Sequence, residues 1–82
     1  MGALYFLRGD LERARLCFEQ AREMEPERSE AWRGLGLVQL RQGRLEQARP
    51  LLERAAALAP NDPLNRQALE TLRRKAEENA AR

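Results

Sequence analysis

Shifted by 34 residues, the sequence falls on itself. Gly2 coincides with Gly36, Gly9 with Gly43, Leu11 with Leu45, Glu12 with Glu46 and Ala14 with Ala48. Arg15 coincides with Arg49, Glu19 with Glu53, Ala21 with Ala55 and Pro26 with Pro60. Several of these are glycine or proline, the residues that punctuate helices. A period of this length marks a chain built from supersecondary units, each with an apolar face that only its neighbour can bury.

The punctuation predicts five helices. The first runs from about Gly2 to Arg8 and stops at Gly9. The second, about Asp10 to Met24, carries Leu11, Ala14, Phe18 and Ala21 three and four residues apart, one helical face. Asp10 is its candidate N-cap, and Pro26 ends it. The third spans about Ser29 to Gln42, with Ser29 as the expected N-cap and Trp32, Leu35, Gly36 and Leu40 on or near one face. The fourth, about Arg44 to Leu58, turns Leu45, Ala48, Leu52 and Ala55 inward. The fifth opens on Asp62 and Pro63, an N-cap with proline at the first helical position, and carries Leu64, Ala68, Leu69, Leu72 and Ala76. Loops of two to four residues force neighbouring helices antiparallel. Pro50 lies inside the fourth helix and costs about 3 kcal/mol unless the helix bends there. A mild bend is expected, the alternative being a later start. The sequence divides into a partial unit at 1–26, a full unit at 27–60 and a closing helix at 61–82.

Composition removes several classes of function. There is no histidine and one cysteine, Cys17. The commonest general base, the commonest zinc ligand and any internal disulfide are therefore missing. A chain of 82 residues buries only roughly 60–65% of its unfolded surface, too little to enclose a deep cavity. Fifteen cations stand against thirteen anions, a net charge of +2, too small by itself to argue for nucleic acid. The apolar runs Ala3 to Leu7 and Ala55 to Ala59 are far shorter than the ~20 residues of a membrane span. Met1 to Leu7 lacks the charged start of a signal peptide, so a cytoplasmic location is the default. Gly34-Leu35-Gly36 has neither the third glycine nor the preceding strand of a nucleotide loop. Exposed carboxylate pairs such as Glu77-Glu78 have no pocket to shift a pKa. The sequence asks for no cofactor and no catalytic residue, and Cys17 is read as a small packing residue.

The middle unit resembles the tetratricopeptide repeat, whose signature is W-x2-L-G-x2-Y, A-x3-F and P over one period. It reads Trp32, Leu35, Gly36, Ala48, Leu52, Ala55 and Pro60, with Gln39 where the family prefers Tyr and Leu52 where it prefers Phe. The first unit keeps Gly2, Tyr5, Ala14, Phe18, Ala21 and Pro26 without the Trp and Leu before Gly2. The closing helix has Arg66 and Glu70 in the Trp and Gly places. The resemblance implies an all-α fold of antiparallel helical hairpins stacked as a right-handed solenoid. It places Trp32 in the core and gives Gly36 and Ala48 the task of leaving room for a neighbouring backbone. Beyond Leu72 the fifth helix turns polar, as a solvating cap would.

The same resemblance puts the first helix of each unit on a concave, partner-binding face. Here that face would comprise Ala3, Phe6 and Leu7, then Glu30, Arg33, Leu37, Leu40 and Arg41, then Gln67, Thr71, Arg74 and Lys75. It is apolar at one end and basic at the other, which suits an acidic or apolar protein segment. Some family members clamp a terminal carboxylate with Asn, but Ala3 and Gly34 stand in those places. A second expectation is self-association. The missing start of the first repeat would leave part of the stripe Leu11, Ala14, Phe18 and Ala21 open, with Leu4, Tyr5, Phe6 and Leu7 apolar on every side. Nucleic-acid binding through Arg73, Arg74 and Lys75 trails both, because Glu77 and Glu78 follow at once; a membrane partner is not expected.

Overall fold

In the computed structural model, which describes residues 2–80, every regular element is a helix. These are α1 (Gly2–Leu7), α2 (Leu11–Met24), α3 (Ser29–Arg41), α4 (Leu45–Leu58) and α5 (Pro63–Ala80). Met1 and residues 81–82, part of the outer units of the sequence division, lie outside the described residues. Each helix packs on the next, and α3 also touches α1 and α5. The result is a helical-hairpin solenoid with α3 at its centre.

The ends of the helices follow from the glycines and prolines of the repeat. Gly9 and Gly43 adopt φ of +82° and +78°, a conformation that side-chain-bearing residues rarely take. The turn lets Asp10 N–H reach the Tyr5 carbonyl and Arg44 N–H reach the Gln39 carbonyl, each at 2.9 Å. Two carbonyls left over at the helix ends are thus satisfied in the same way. The second helix of each pair ends on Glu25 or Ala59, one residue before the proline that cannot continue it.

Asp10 caps α2 as expected, accepting a bond from Arg13 N–H at 3.3 Å. Asp62 does the same for α5, accepting from Leu64 N–H at 3.0 Å. Ser29 does not cap α3. Arg28 holds that position without a side-chain bond, and Ser29 is a buried first-turn residue. Burial, rather than capping, accounts for a small residue there. The helix through Pro50 is unbroken from Leu45; the later start does not occur.

Small residues let the layers interlock. A Cβ added to Gly34 would lie 2.5 Å from ring atoms of Phe18, and one added to Gly2 would lie 2.8 Å from the same ring. A Cβ at Gly36 would lie 2.6 Å from Leu52 Cγ. Gly36 therefore makes room chiefly for a side chain, not for the neighbouring backbone. Leu52 in turn shares a buried cluster with Leu40, Ala48, Ala68 and Leu72.

The α2 stripe lies open in part: Ala14 is fully buried, Leu11 and Phe18 are half-buried, and Ala21 is exposed. The Phe18 ring lies against Gly2 of α1. One core expectation is corrected. Trp32 is half-buried rather than enclosed. Its indole N–H donates to the Pro26 carbonyl at 2.9 Å, and the guanidinium groups of Arg22 and Arg54 lie 5.1 and 5.7 Å from the ring. Trp32 thus ties α3 to the turn before it while cations of α2 and α4 lie over its ring. Trp32→Ala is expected to cost about 2–3 kcal/mol in a urea melt, less than the ~3–5 of a fully enclosed tryptophan. A loss under about 1 kcal/mol would show that the indole carries no packing.

Candidate functional site

α1, α3 and α5 carry the face that the family resemblance makes the partner-binding one, and a depression lies between the last two. A shallow depression of about 180 Å³ is lined by Arg33, Leu37, Leu64, Gln67, Ala68 and Thr71. Its floor is apolar because Ala68 and Leu37 belong to, or pack against, the buried cluster. Leu64 stays exposed at its rim. Thr71 Oγ1 donates to the Gln67 carbonyl one turn earlier at 2.9 Å, which fixes the hydroxyl on this wall. Arg74 and Lys75 are exposed one helical turn beyond Thr71, on the same side of α5.

Arg33 is held, not free. Its side chain is 15% exposed and its Nη1 lies 3.3 Å from Asp62 Oδ2 and 2.8 Å from Asn65 Oδ1. Asn65, only 1% exposed, donates through Nδ2 to the carbonyls of Ala55 at 3.1 Å and Ala59 at 3.2 Å. One amide therefore satisfies two carbonyls at the end of α4 and receives the guanidinium of α3. This junction sets the spacing of α3, α4 and α5 beneath the groove. Sequence reasoning passed over Asn65. The signal available was its register: one repeat earlier the position is Ala31, a buried apolar residue.

The other expected groove residues divide by burial. Leu40 is 4% exposed and sits in the core cluster, so it cannot contact a partner. The face of α3 that carries it points at α4 and α5. Phe6 is half-buried beneath Arg41, whose guanidinium lies 4.7 Å from the ring. That cation–π contact bridges α1 and α3. Leu7 is 81% exposed and Leu4 50%. Gln67, Glu30 and Ala3 are exposed as well. Tyr5 is half-buried, with Arg13 5.9 Å from its ring. The apolar run at α1 therefore turns Tyr5 and Phe6 toward its own chain and Leu4 and Leu7 away from it. Leu16 and Met24 of α2 add further exposed apolar surface.

Electrostatics elsewhere are those of a solvated surface. Arg15 sits between Glu12 and Glu19, and its pKa is pushed up, first by the hydrogen bond it donates to Glu12 and then by the charges of both carboxylates. Among the described residues no three His, Cys, Asp or Glu side chains stand together as a metal site. No described helix is long and apolar enough to cross a membrane.

Stacked helical hairpins with glycine- and alanine-lined contacts define a helical-repeat protein. The chain belongs to the tetratricopeptide-repeat family, whose model matches residues 2–63. It is similar to Tetratricopeptide repeat protein 8 of mouse and of human, 40% identical to each over 53 residues. That stretch covers 65% of this chain but 10% of either relative, so the chain spans a small part of their length. Repeats of this family generally mediate protein–protein interaction.

The Arg33 junction makes a stability prediction. Arg33→Met should cost about 1.5–3 kcal/mol, the worth of charge-assisted hydrogen bonds with a buried acceptor left behind. Arg74→Met, at an exposed position, should stay within about 0.5 kcal/mol. Equal urea-melt midpoints for the two variants would show that the Asp62–Arg33–Asn65 junction carries no load.

Proposed function

We propose that the chain is a non-catalytic binding module that holds an acidic, partly apolar peptide or helix along the α1–α3–α5 face. The observation that carries this reading is the α3–α5 depression. Its apolar floor at Leu37 and Ala68, with Leu64 at the rim, lies beside two exposed cations, Arg74 and Lys75. An aliphatic side chain fits the floor, and a carboxylate one turn away meets Arg74 or Lys75. Because Arg33 is already paired, the cations open to a ligand are Arg74 and Lys75 at the α5 end and Arg41, exposed over Phe6, toward α1. The residues proposed to bear the contact are therefore Phe6, Leu7, Leu37, Arg41, Gln67, Thr71, Arg74 and Lys75.

A second reading, self-association through α1, draws on the exposure of the large apolar side chains Leu4 and Leu7 of that helix. Exposed apolar side chains in one region commonly mark an interface.

The groove reading is tested by fluorescence anisotropy with a labelled peptide of alternating Leu and Glu, against a Leu-Lys counterpart. The acidic peptide should bind and the basic one should not. Reversing Arg74 and Lys75 to Glu together should weaken binding about tenfold, roughly 1.4 kcal/mol, with thermal stability unchanged because exposed charges contribute little to folding. Undiminished affinity in that double variant would remove the α5 end from the interface.

A further inference from the structure

The uncovered side of α5 carries a charge pattern that is complementary to itself. One repeat separates Leu35 from Leu69, Gly36 from Glu70 and Gln39 from Arg73. On α3 this face is covered by α4, with Leu52 seated over Gly36. On α5 no described residue covers it. Two adjoining depressions, of about 570 Å³ and 380 Å³, run along it and share Leu69 and Arg73. The second is walled on its other side by Arg49 and Glu53 of α4.

Arg66, Glu70, Arg73 and Glu77 all line these depressions. They follow one another at helical spacing, so they form one stripe. Its order is basic, acidic, basic, acidic. Reversed end to end, it becomes acidic, basic, acidic, basic. Two copies of α5 laid antiparallel, with the two-fold axis between Thr71 and Leu72, therefore oppose unlike charges throughout. Arg66 of one copy meets Glu77 of the other, and Glu70 meets Arg73. Leu69, half-buried, and Ala76 supply apolar surface on the same face.

We propose that this face is a homodimer contact in which α5 of a second copy lies antiparallel on α5. The direction is the one α4 takes on α3, so the second copy completes the layer in the manner of the fold. The alternative occupant, a helix of the repeat type, is disfavoured by Glu70. Such a helix seats a large side chain where Gly36 has none, and at that place α5 carries a glutamate. A two-fold contact instead uses Glu70 twice, against Arg73 of each copy. Within one copy the two already lie 3.6 Å apart and are mostly exposed, so pairing across the axis joins four charges into one network. A contact of this kind is isologous and closes at two copies.

Sedimentation equilibrium of the whole chain at low salt, from about 10 μM to about 500 μM, tests it by mass action. The expected mass rises from the 9.4 kDa of one chain toward twice that value, and falls back when salt screens the charges. Glu70→Arg makes both central positions basic, and Arg73→Glu makes both acidic. Each variant alone should stay monomeric with unchanged helix content. An equimolar mixture of the two should recover the dimer, because opposite signs then face across the axis. Leu7→Glu should leave association intact, which separates this contact from one through α1. A monomer mass throughout, dimers of either charge variant alone, a mixture that stays monomeric, or loss of the dimer in Leu7→Glu would each overturn the proposal.

Discussion

The fold depends on large side chains from one helix seating where the adjacent helices have almost none. Phe18 of α2 lies against Gly2 of α1 and Gly34 of α3. One repeat later Leu52 of α4 lies against Gly36 of α3 and shares a buried cluster with Ala68 of α5. The two seats are equivalent in register, since Gly2, Phe18 and Gly34 are 34 residues from Gly36, Leu52 and Ala68. Their volumes compensate. The larger phenylalanine takes two glycines, and the smaller leucine takes one glycine and one alanine. The departure from the family's Phe at position 52 is thus matched by a methyl group on the facing helix, which keeps the core closely packed.

The candidate site rests on that spacing. With Leu52 seated, Ala68 and Leu37 form the floor between α3 and α5, and Asn65 comes within reach of the Ala55 and Ala59 carbonyls. Asn65 then presents its oxygen to Arg33. Arg33 thus both lines the depression and forms part of its foundation. The proposed site is a shallow apolar trough with the exposed cations Arg74 and Lys75 beside it on α5. Small, open relief of this sort suits recognition of a polypeptide better than capture of a small molecule.

Helix number, order and ends were legible in the sequence because glycine and proline act locally. Gly9 and Gly43 end helices through their own φ, and Pro26 and Pro60 through a missing N–H. The side chains of α3 were not legible to the same degree. This helix is buried on several sides, at Ala31, Gly34, Leu35, Gly36, Val38 and Leu40, so no single stripe tells inside from outside. Leu40 therefore read as groove although it is core. The Ser29 cap was misread because serine suits a cap and a tight burial site equally. The Arg33–Asn65 bond joins residues almost a full repeat apart, and local spacing carries no trace of it. Gln39 extends the point: its Oε1 is buried without a partner, at a place where the family signature has Tyr.

The seating of Phe18 between two glycines is tested most directly by a double-mutant cycle in urea. Gly34→Ala alone should lose about 1–3 kcal/mol by overpacking against the ring. Phe18→Leu alone should lose a comparable amount by underfilling the seat. Combined, they rebuild the leucine–alanine pairing of the second seat, so the double variant should be more stable than the sum of the two losses by about 1 kcal/mol or more. Losses that simply add would contradict the compensation of volumes on which this packing rests.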